Sequence, residues 1–66
     1  MNLRDLRKQA GLSVKEVASK LNVAERTLYS YESGERGLPI ITAYQMTKMY
    51  DASLQDIVDA VINTRQ

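Results

Sequence analysis

The stretch from Leu12 to Gly34 constrains the fold of this chain more than any other part of its sequence. It opens with Ser13 and Glu16, which have the spacing of a capping box, where two side chains accept from backbone amides at a helix start. An apolar helix face follows, with the spacing i, i+3, i+4 and i+7: Val14, Val17, Ala18 and Leu21. We therefore predict a helix over residues 13–21.

Asn22 interrupts this pattern, and asparagine suits a turn with a left-handed backbone. A second helix is predicted over residues 24–33, with an inward face and a glycine stop at its end: Val23, Leu28, Tyr31 and Gly34. Ala24 is a poor N-cap, so we expect this helix to begin irregularly or to depend on Thr27. Two helices joined by so short a turn form a helix-turn-helix arrangement, here at about residues 13–34.

The remaining segments predict three more helices and no strand. A helix over residues 2–10 has Asn2 as its N-cap and these inward residues: Leu3, Leu6 and Ala10. A helix over residues 39–50 has the following inward residues: Ile40, Ala43, Tyr44, Thr47 and Tyr50. The last helix follows the N-cap Ser53, and its predicted inward residues are Leu54, Ile57, Val58, Val61 and Ile62. Residues 63–66 are expected to fray. The sequence predicts one all-α domain over residues 1–66, a compact bundle of five short helices.

The residue types that are missing narrow the function. Cysteine and histidine are both absent, which removes disulfides, thiolate metal sites and the commonest general base. No nucleophile–base pair, glycine-rich phosphate loop or metal-spaced cluster occurs, so we expect no enzymatic activity, no metal and no cofactor. No apolar run approaches the roughly 20 residues of a membrane span, and the start lacks the form of a secretory signal. We therefore expect a cytoplasmic protein without a membrane partner.

The basic residues are concentrated in the first part of the chain, although the net charge is only +1. Seven of the nine lie within the first 36 residues: Arg4, Arg7, Lys8, Lys15, Lys20, Arg26 and Arg36. Arg7 and Glu32 fall on inward helix faces, where an unpaired charge is costly, so we infer that they form an ion pair. Its main role is structural; in the alternative reading Arg7 also offers donors to a phosphate.

The outward face of residues 24–34 carries side chains suited to reading base edges: Glu25, Arg26, Thr27, Tyr29 and Ser30. If this helix enters a major groove, Arg26 would donate to guanine O6 and N7 and Glu25 would accept from cytosine N4. Phosphate contacts would flank this face: Ser13, Lys15, Ser33 and Arg36. Each residue also has a purely structural interpretation; Glu25, for example, can stabilise the helix N-terminus by interacting with the helix dipole. Their grouping on one face favours a DNA-reading surface.

The last helix has more apolar surface than a small core absorbs. Val58, Val61 and Ile62 either form a two-fold dimer interface or cover the core from the first and fourth helices.

The spacing of residues across nearly the whole chain resembles the Cro and phage-repressor class of helix-turn-helix domains, the XRE family. The matching segments are Leu6-Arg7, Ala10–Ser13, Glu16–Ala18, Leu21–Val23, Thr27-Leu28, Tyr31-Glu32, Gly34, Ala52–Leu54 and Asp56-Ile57. The resemblance implies the lambda-repressor-like fold of five helices, sequence-specific operator binding as a dimer, and a bacterial or phage origin.

Carried over by position, the resemblance implies base reading by Glu25, Arg26, Thr27 and Ser30. It also implies phosphate contacts by Ser13, Ser33 and Arg36. The structural ion pair that it implies joins Arg7 to Glu32. The chain departs from the family at four positions. Val14 replaces a usual glutamine, Ala24 a usual serine and Glu35 a common lysine, and Tyr29 is bulkier than most residues at its position.

Two functions follow from these features. The first is a transcriptional regulator, a repressor that binds double-stranded DNA as a homodimer on a near-palindromic operator. The second is a protein-interaction module or antitoxin-like partner protein on the same fold, which would use its last helix to hold another protein.

Overall fold

In the computed structural model, which describes residues 1–64, five α-helices and no strand are present within that range. They are α1 (Leu3–Gln9), α2 (Val14–Leu21), α3 (Glu25–Ser33), α4 (Ile40–Tyr50) and α5 (Leu54–Thr64). The predicted all-α fold of five short helices is confirmed. The prediction that residues 63–66 fray is wrong for Asn63 and Thr64, which belong to α5. For residues 65 and 66, this prediction lies outside the described residues.

Three helices begin with a reciprocal pair of side-chain caps. The backbone amide of Glu16 donates to Ser13 Oγ at 3.1 Å, and the amide of Ser13 donates to Glu16 Oε1 at 3.1 Å. The same exchange joins Asn2 to Asp5 and Ser53 to Asp56. The starts of α1, α2 and α5 are therefore fixed by residues three apart in sequence.

The turn between α2 and α3 depends on one left-handed residue. Asn22 ends α2 at φ 58°, and asparagine tolerates that conformation better than most residues. The residue before α3, Ala24, provides no side-chain cap, as predicted, and its carbonyl accepts from the amide of Thr27 at 3.0 Å. Gly34, at φ 81°, ends α3 as predicted.

Each helix contributes one large, fully buried side chain to a common core: Leu3, Val17, Leu28, Met46 and Ile57. α5 packs against α1, α3 and α4, and α2 packs against α3 and α4. The core therefore combines contacts between neighbouring helices, such as α2 with α3, and contacts between helices distant in sequence, such as α1 with α5.

The predicted inward face of α4 is partly wrong. Ile40 and Tyr44 are 76% and 56% exposed, whereas Met46, which is not part of the predicted inward face, is fully buried. Apolar residues occur on nearly every side of this helix, so its periodicity does not single out one face. The positions of α1, α2 and α5 decide which side is covered. Ala10, also predicted to face inward, is exposed at the end of α1.

The predicted inward face of α5 is also partly wrong. Ile57 and Ala60 are buried and Val61 is half-buried, but Leu54, Val58 and Ile62 remain 44–50% exposed. The apolar stripe of α5 is wider than the surface that α1, α3 and α4 cover. The small side chain of Ala60 lies on the buried side, where it permits close approach of neighbouring helices.

An ion pair inside the protein joins α1 to α3. Arg7 Nε donates to Glu32 Oε2 at 2.7 Å and Arg7 Nη2 donates to Glu32 Oε1 at 3.3 Å, and the side chains are only 9% and 6% exposed. Arg7 Nη1 also donates to the carbonyl of Leu12 at 3.2 Å. The hydrogen bond with Glu32 raises the pKa of Arg7 against the opposing effect of burial. Burial of Arg7 favours the structural role over the phosphate-binding alternative.

We expect Arg7→Ala to lower the free energy of unfolding by about 3–5 kcal/mol, because it leaves the Glu32 carboxylate buried without its partner. Urea denaturation followed by circular dichroism measures this loss. The double variant Arg7→Met/Glu32→Leu, which leaves no buried charge, should recover much of it. A loss below about 1 kcal/mol in the single variant would mean that the pair behaves as an exposed one.

We expect stability to decrease at alkaline pH because of Tyr50. Burial raises the pKa of its hydroxyl to about 12, and the nearby Glu32 carboxylate adds to the effect. Because this pKa lies above the value of about 10 in an unfolded chain, the contribution of Tyr50 is complete below pH 10 and is lost as pH rises towards 12. Tyr50→Phe should remove this pH-dependent loss in urea titrations between pH 8 and 12.

The Tyr50 hydroxyl makes no hydrogen bond to another atom of residues 1–64. Tyr50→Phe should therefore be at least as stable as the parent at pH 7, since it deletes a buried polar group. The exposed Tyr44 provides the matched control, Tyr44→Phe, which should leave the alkaline loss in place. A Tyr50→Phe variant that is less stable at pH 7 would show that this hydroxyl is stabilising.

Candidate nucleic-acid interface

The outward face of α3 presents the side chains that the sequence assigns to base reading. Glu25, Arg26 and Tyr29 are exposed, and Thr27 and Ser30 are half-buried. The opposite face holds the helix in the core through Leu28 and Tyr31. Because Arg7 and Leu28 fix α3 from behind, the exposed residues project from a rigid support.

α2 packs against α3, and the start of α2 carries Ser13 and Lys15, both exposed. The Oγ of Ser13 accepts from the amide of Glu16, so the hydroxyl proton of Ser13 can still be donated to another group. The first turn of a helix also has amides without an intrahelical partner and the positive end of the helix dipole. This arrangement suits a phosphate oxygen.

The loop after α3 folds back onto the last turn of that helix. The Oγ of Ser33 donates to the carbonyl of Ser30 at 3.2 Å and accepts from the amide of Glu35 at 3.4 Å. The amide of Arg36 also donates to the Ser30 carbonyl, at 3.2 Å. The single hydroxyl proton of Ser33 is thus engaged within the protein, which leaves Arg36 as the more available phosphate donor of the two.

Glu35 is a residue of this surface that sequence reasoning did not place in a contact. Its Oε2 accepts from Ser30 Oγ at 3.5 Å. The two residues are five apart, and the left-handed Gly34 lies between them. Helical periodicity does not relate residues on the two sides of such a turn. The acidic residue itself is therefore the only feature of the sequence that could have indicated this contact.

The dimensions of α3 suit a groove of duplex DNA. An α-helix with its side chains is about 10–12 Å in diameter, and the major groove, about 12 Å wide, admits one such helix. Donors and acceptors both occur on the exposed face, on Arg26 and Glu25 respectively. The face can therefore form hydrogen bonds with several kinds of base edge.

The structure offers no support for a metal centre or a membrane span in the part of the chain that it describes. Within residues 1–64, no group of three histidine, cysteine, aspartate or glutamate side chains is arranged to hold a metal ion. Among the helices of that range, none has the length and apolar character that crossing a membrane requires.

A second exposed surface lies between α4 and α5. An apolar groove there is lined mainly by aliphatic side chains: Leu38, Ile40, Leu54, Val58, Val61 and Ile62. Of the residues expected at a dimer interface, Val58 and Ile62 are 44% and 50% exposed, and Val61 packs against the core. Ile40, predicted to face inward, contributes to this groove instead.

The chain is similar in sequence to known proteins. A family model described as helix-turn-helix matches residues 3–57. A protein of Thermococcus kodakarensis is 37% identical over 57 residues, which are 86% of this chain and 18% of that protein. One of Thermococcus gammatolerans is 32% identical over 59 residues, 89% of this chain and 19% of that protein. A protein of Pyrobaculum aerophilum is 42% identical over 48 residues, which are 73% of this chain and 19% of that protein.

All three relatives carry the name "Putative HTH-type transcriptional regulatory protein". The chain spans 18–19% of their length. No solved structure shows significant similarity to it. The family match covers α1 to α4 and the start of α5, and it includes the α2–turn–α3 unit described above. The chain therefore belongs to the Cro and phage-repressor (XRE) family of helix-turn-helix, DNA-binding transcription regulators.

Proposed function

We propose that residues 1–66 form one DNA-binding domain that recognises a near-palindromic operator as a homodimer and represses transcription. The observation that carries this proposal is the exposed face of α3. The buried Arg7–Glu32 pair holds the opposite side of this helix against the core. Repression is the simplest consequence, because a protein bound at an operator excludes other proteins from it. The proposal implies action in the cytoplasm, where the DNA is accessible, and requires neither a cofactor nor catalysis.

The proposed base contacts use the exposed end of α3. Arg26 donates to guanine O6 and N7, and Glu25 accepts from cytosine N4. Thr27, Tyr29 and Ser30 contact neighbouring base edges or a thymine methyl group. The proposed phosphate contacts flank this surface on both sides: Ser13 and Lys15 at the start of α2, and Ser33 and Arg36 after α3.

Dimer formation is proposed through α5, with Val58 and Ile62 at the centre and Val61 behind them. Exposed aliphatic side chains gain about 25 cal/mol for each Å² removed from water. A two-fold dimer places two copies of α3 in successive major grooves, which requires half-sites about one helical turn apart.

Selection of bound duplexes from a randomised DNA pool at near-physiological salt tests the proposed function. We expect recovery of an inverted repeat, because two symmetric α3 helices read the same half-site in opposite orientations. A folded protein that enriches no sequence would contradict the proposal.

On the recovered site, we expect Arg26→Ala to weaken binding by roughly 1–3 kcal/mol and to relax the preference at one base position. Fluorescence anisotropy on a set of single-base variants of the site measures both effects. Equal weakening on every sequence would contradict base reading by Arg26.

Arg36→Ala provides the contrast, because it removes the same charge from the proposed phosphate-binding loop. It should weaken all sequences similarly and reduce the slope of log affinity against log salt by about one. An unchanged slope would remove the phosphate role of Arg36.

We expect Val58→Glu to prevent dimer formation, because it places a charge at the centre of an apolar interface. Sedimentation equilibrium of the free protein and of its operator complex measures the assembly state. Gln45→Glu adds the same charge at an exposed position on α4 and should leave assembly unchanged. Dimers of the Val58→Glu variant would move the interface away from α5.

The groove between α4 and α5 also favours the second candidate, a protein-interaction module or antitoxin-like partner. The net charge of +1 and the acidic Glu35 agree with that function, because neither promotes binding to phosphates. A folded monomer that enriches no DNA sequence and loses a protein partner on Val58→Glu would favour this candidate over the first.

A further inference from the structure

We infer that Glu35 sets the hydrogen-bonding polarity of Ser30, so that Ser30 selects a base with an exocyclic amino group in the major groove. The inference rests on the proposed function, because it states what one residue of the proposed reading surface recognises. Ser30 is the residue that contacts the base. Glu35 acts through Ser30 and is a positioning residue.

The chemistry of serine makes this selection depend on a neighbour. A hydroxyl has one proton to donate and two lone pairs that accept, so an isolated serine contacts either kind of base edge. Here the hydroxyl of Ser30 faces Glu35 Oε2 at 3.5 Å, a weak contact that is longer than the usual O–H···O range of about 2.5–3.0 Å. An ionised carboxylate only accepts. The hydroxyl proton is thus directed towards Glu35, and the lone pairs of Ser30 remain for DNA.

Backbone contacts hold Glu35 beside Ser30. Gly34 reverses the chain in the left-handed conformation, at φ 81°. The amide of Glu35 then donates to Ser33 Oγ at 3.4 Å, and the amide of Arg36 donates to the carbonyl of Ser30 at 3.2 Å. The loop is therefore tied to α3 on both sides of Glu35, and this brings its carboxylate to the proposed DNA-facing side.

The groove chemistry defines the base that fits. Amino donors in the major groove are cytosine N4 and adenine N6, whereas guanine presents N7 and O6 and thymine presents O4 as acceptors. Lone pairs on Ser30 pair with the amino donors. The negative charge of Glu35 adds repulsion towards the acceptors. As DNA binding excludes water, the lower dielectric constant strengthens the bond between Ser30 and Glu35. Cytosine or adenine is therefore preferred next to Ser30.

The test compares duplex selections by the parent protein, Ser30→Ala and Glu35→Ala from the same randomised pool and at the same salt. We expect the parent to show one position per half-site with a preference for cytosine or adenine on the order of fivefold, as for one hydrogen bond. Both variants should lose the preference at that position and keep it elsewhere. Ratios between bases are compared, since removal of a carboxylate near phosphates raises the affinity for every duplex.

Asp59→Asn is the matched control for charge. Asp59 lies on α5 and accepts from Gln55 Nε2 at 2.9 Å, so its substitution removes one carboxylate that is away from Ser30. It should leave every base preference unchanged. Far-UV circular dichroism and thermal melts confirm that all variants are folded, as expected for substitutions at exposed or half-buried positions.

The outcomes separate the inference from the function on which it rests. If the parent enriches an inverted repeat but Glu35→Ala keeps the preference at the position that depends on Ser30, the inference is overturned and the proposed function stands. The same holds if that position prefers guanine or thymine, or if Ser30→Ala changes no preference. If the folded parent enriches no sequence, the proposed function fails and the inference fails with it.

Discussion

The buried pair of Arg7 and Glu32 is the interaction on which the orientation of the exposed face of α3 depends. Hydrophobic burial holds the five helices together but has little directional preference, whereas a bidentate contact between guanidinium and carboxylate fixes relative orientation. The same guanidinium also binds the carbonyl of Leu12, immediately before the capping box of α2. One side chain of α1 therefore holds both helices of the helix-turn-helix unit, α3 directly and α2 through the residue that precedes its N-cap.

The proposed DNA-reading surface combines weak electrostatic attraction with many directional groups. Lys15, Arg26 and Arg36 lie among Glu25 and Glu35, and the chain as a whole has a net charge of +1. Attraction to phosphates is independent of sequence and falls steeply with salt. A surface that limits this attraction must obtain more of its affinity from hydrogen bonds to base edges, which carry the sequence information. Under the proposed function, the acidic Glu35 lowers the general attraction of this surface to phosphates.

The surface between α4 and α5 follows from the small size of the bundle. Short helices of about ten residues cover only part of one another, so aliphatic side chains such as Ile40, Val58 and Ile62 stay in contact with water. In the relatives, the matched part is less than one fifth of the protein. An exposed groove on such a unit is suited to a second copy or to another protein surface.

The sequence by itself determined the helices, their caps, the turn at Asn22, the helix end at Gly34 and the family. The helices, caps and turns depend on residues within three or four positions of each other, where side-chain spacing and backbone preference act without the rest of the fold. The family follows from the pattern of residues along positions 3–57. Opposite charges on two inward faces were also enough to infer the pairing of Arg7 with Glu32. Only the tertiary structure decided which sides of α4 and α5 are buried, because both carry apolar residues over more of their circumference than their neighbours cover. It also decided the contact of Ser30 with Glu35, since a left-handed turn separates them and no helical period connects the two sides of such a turn.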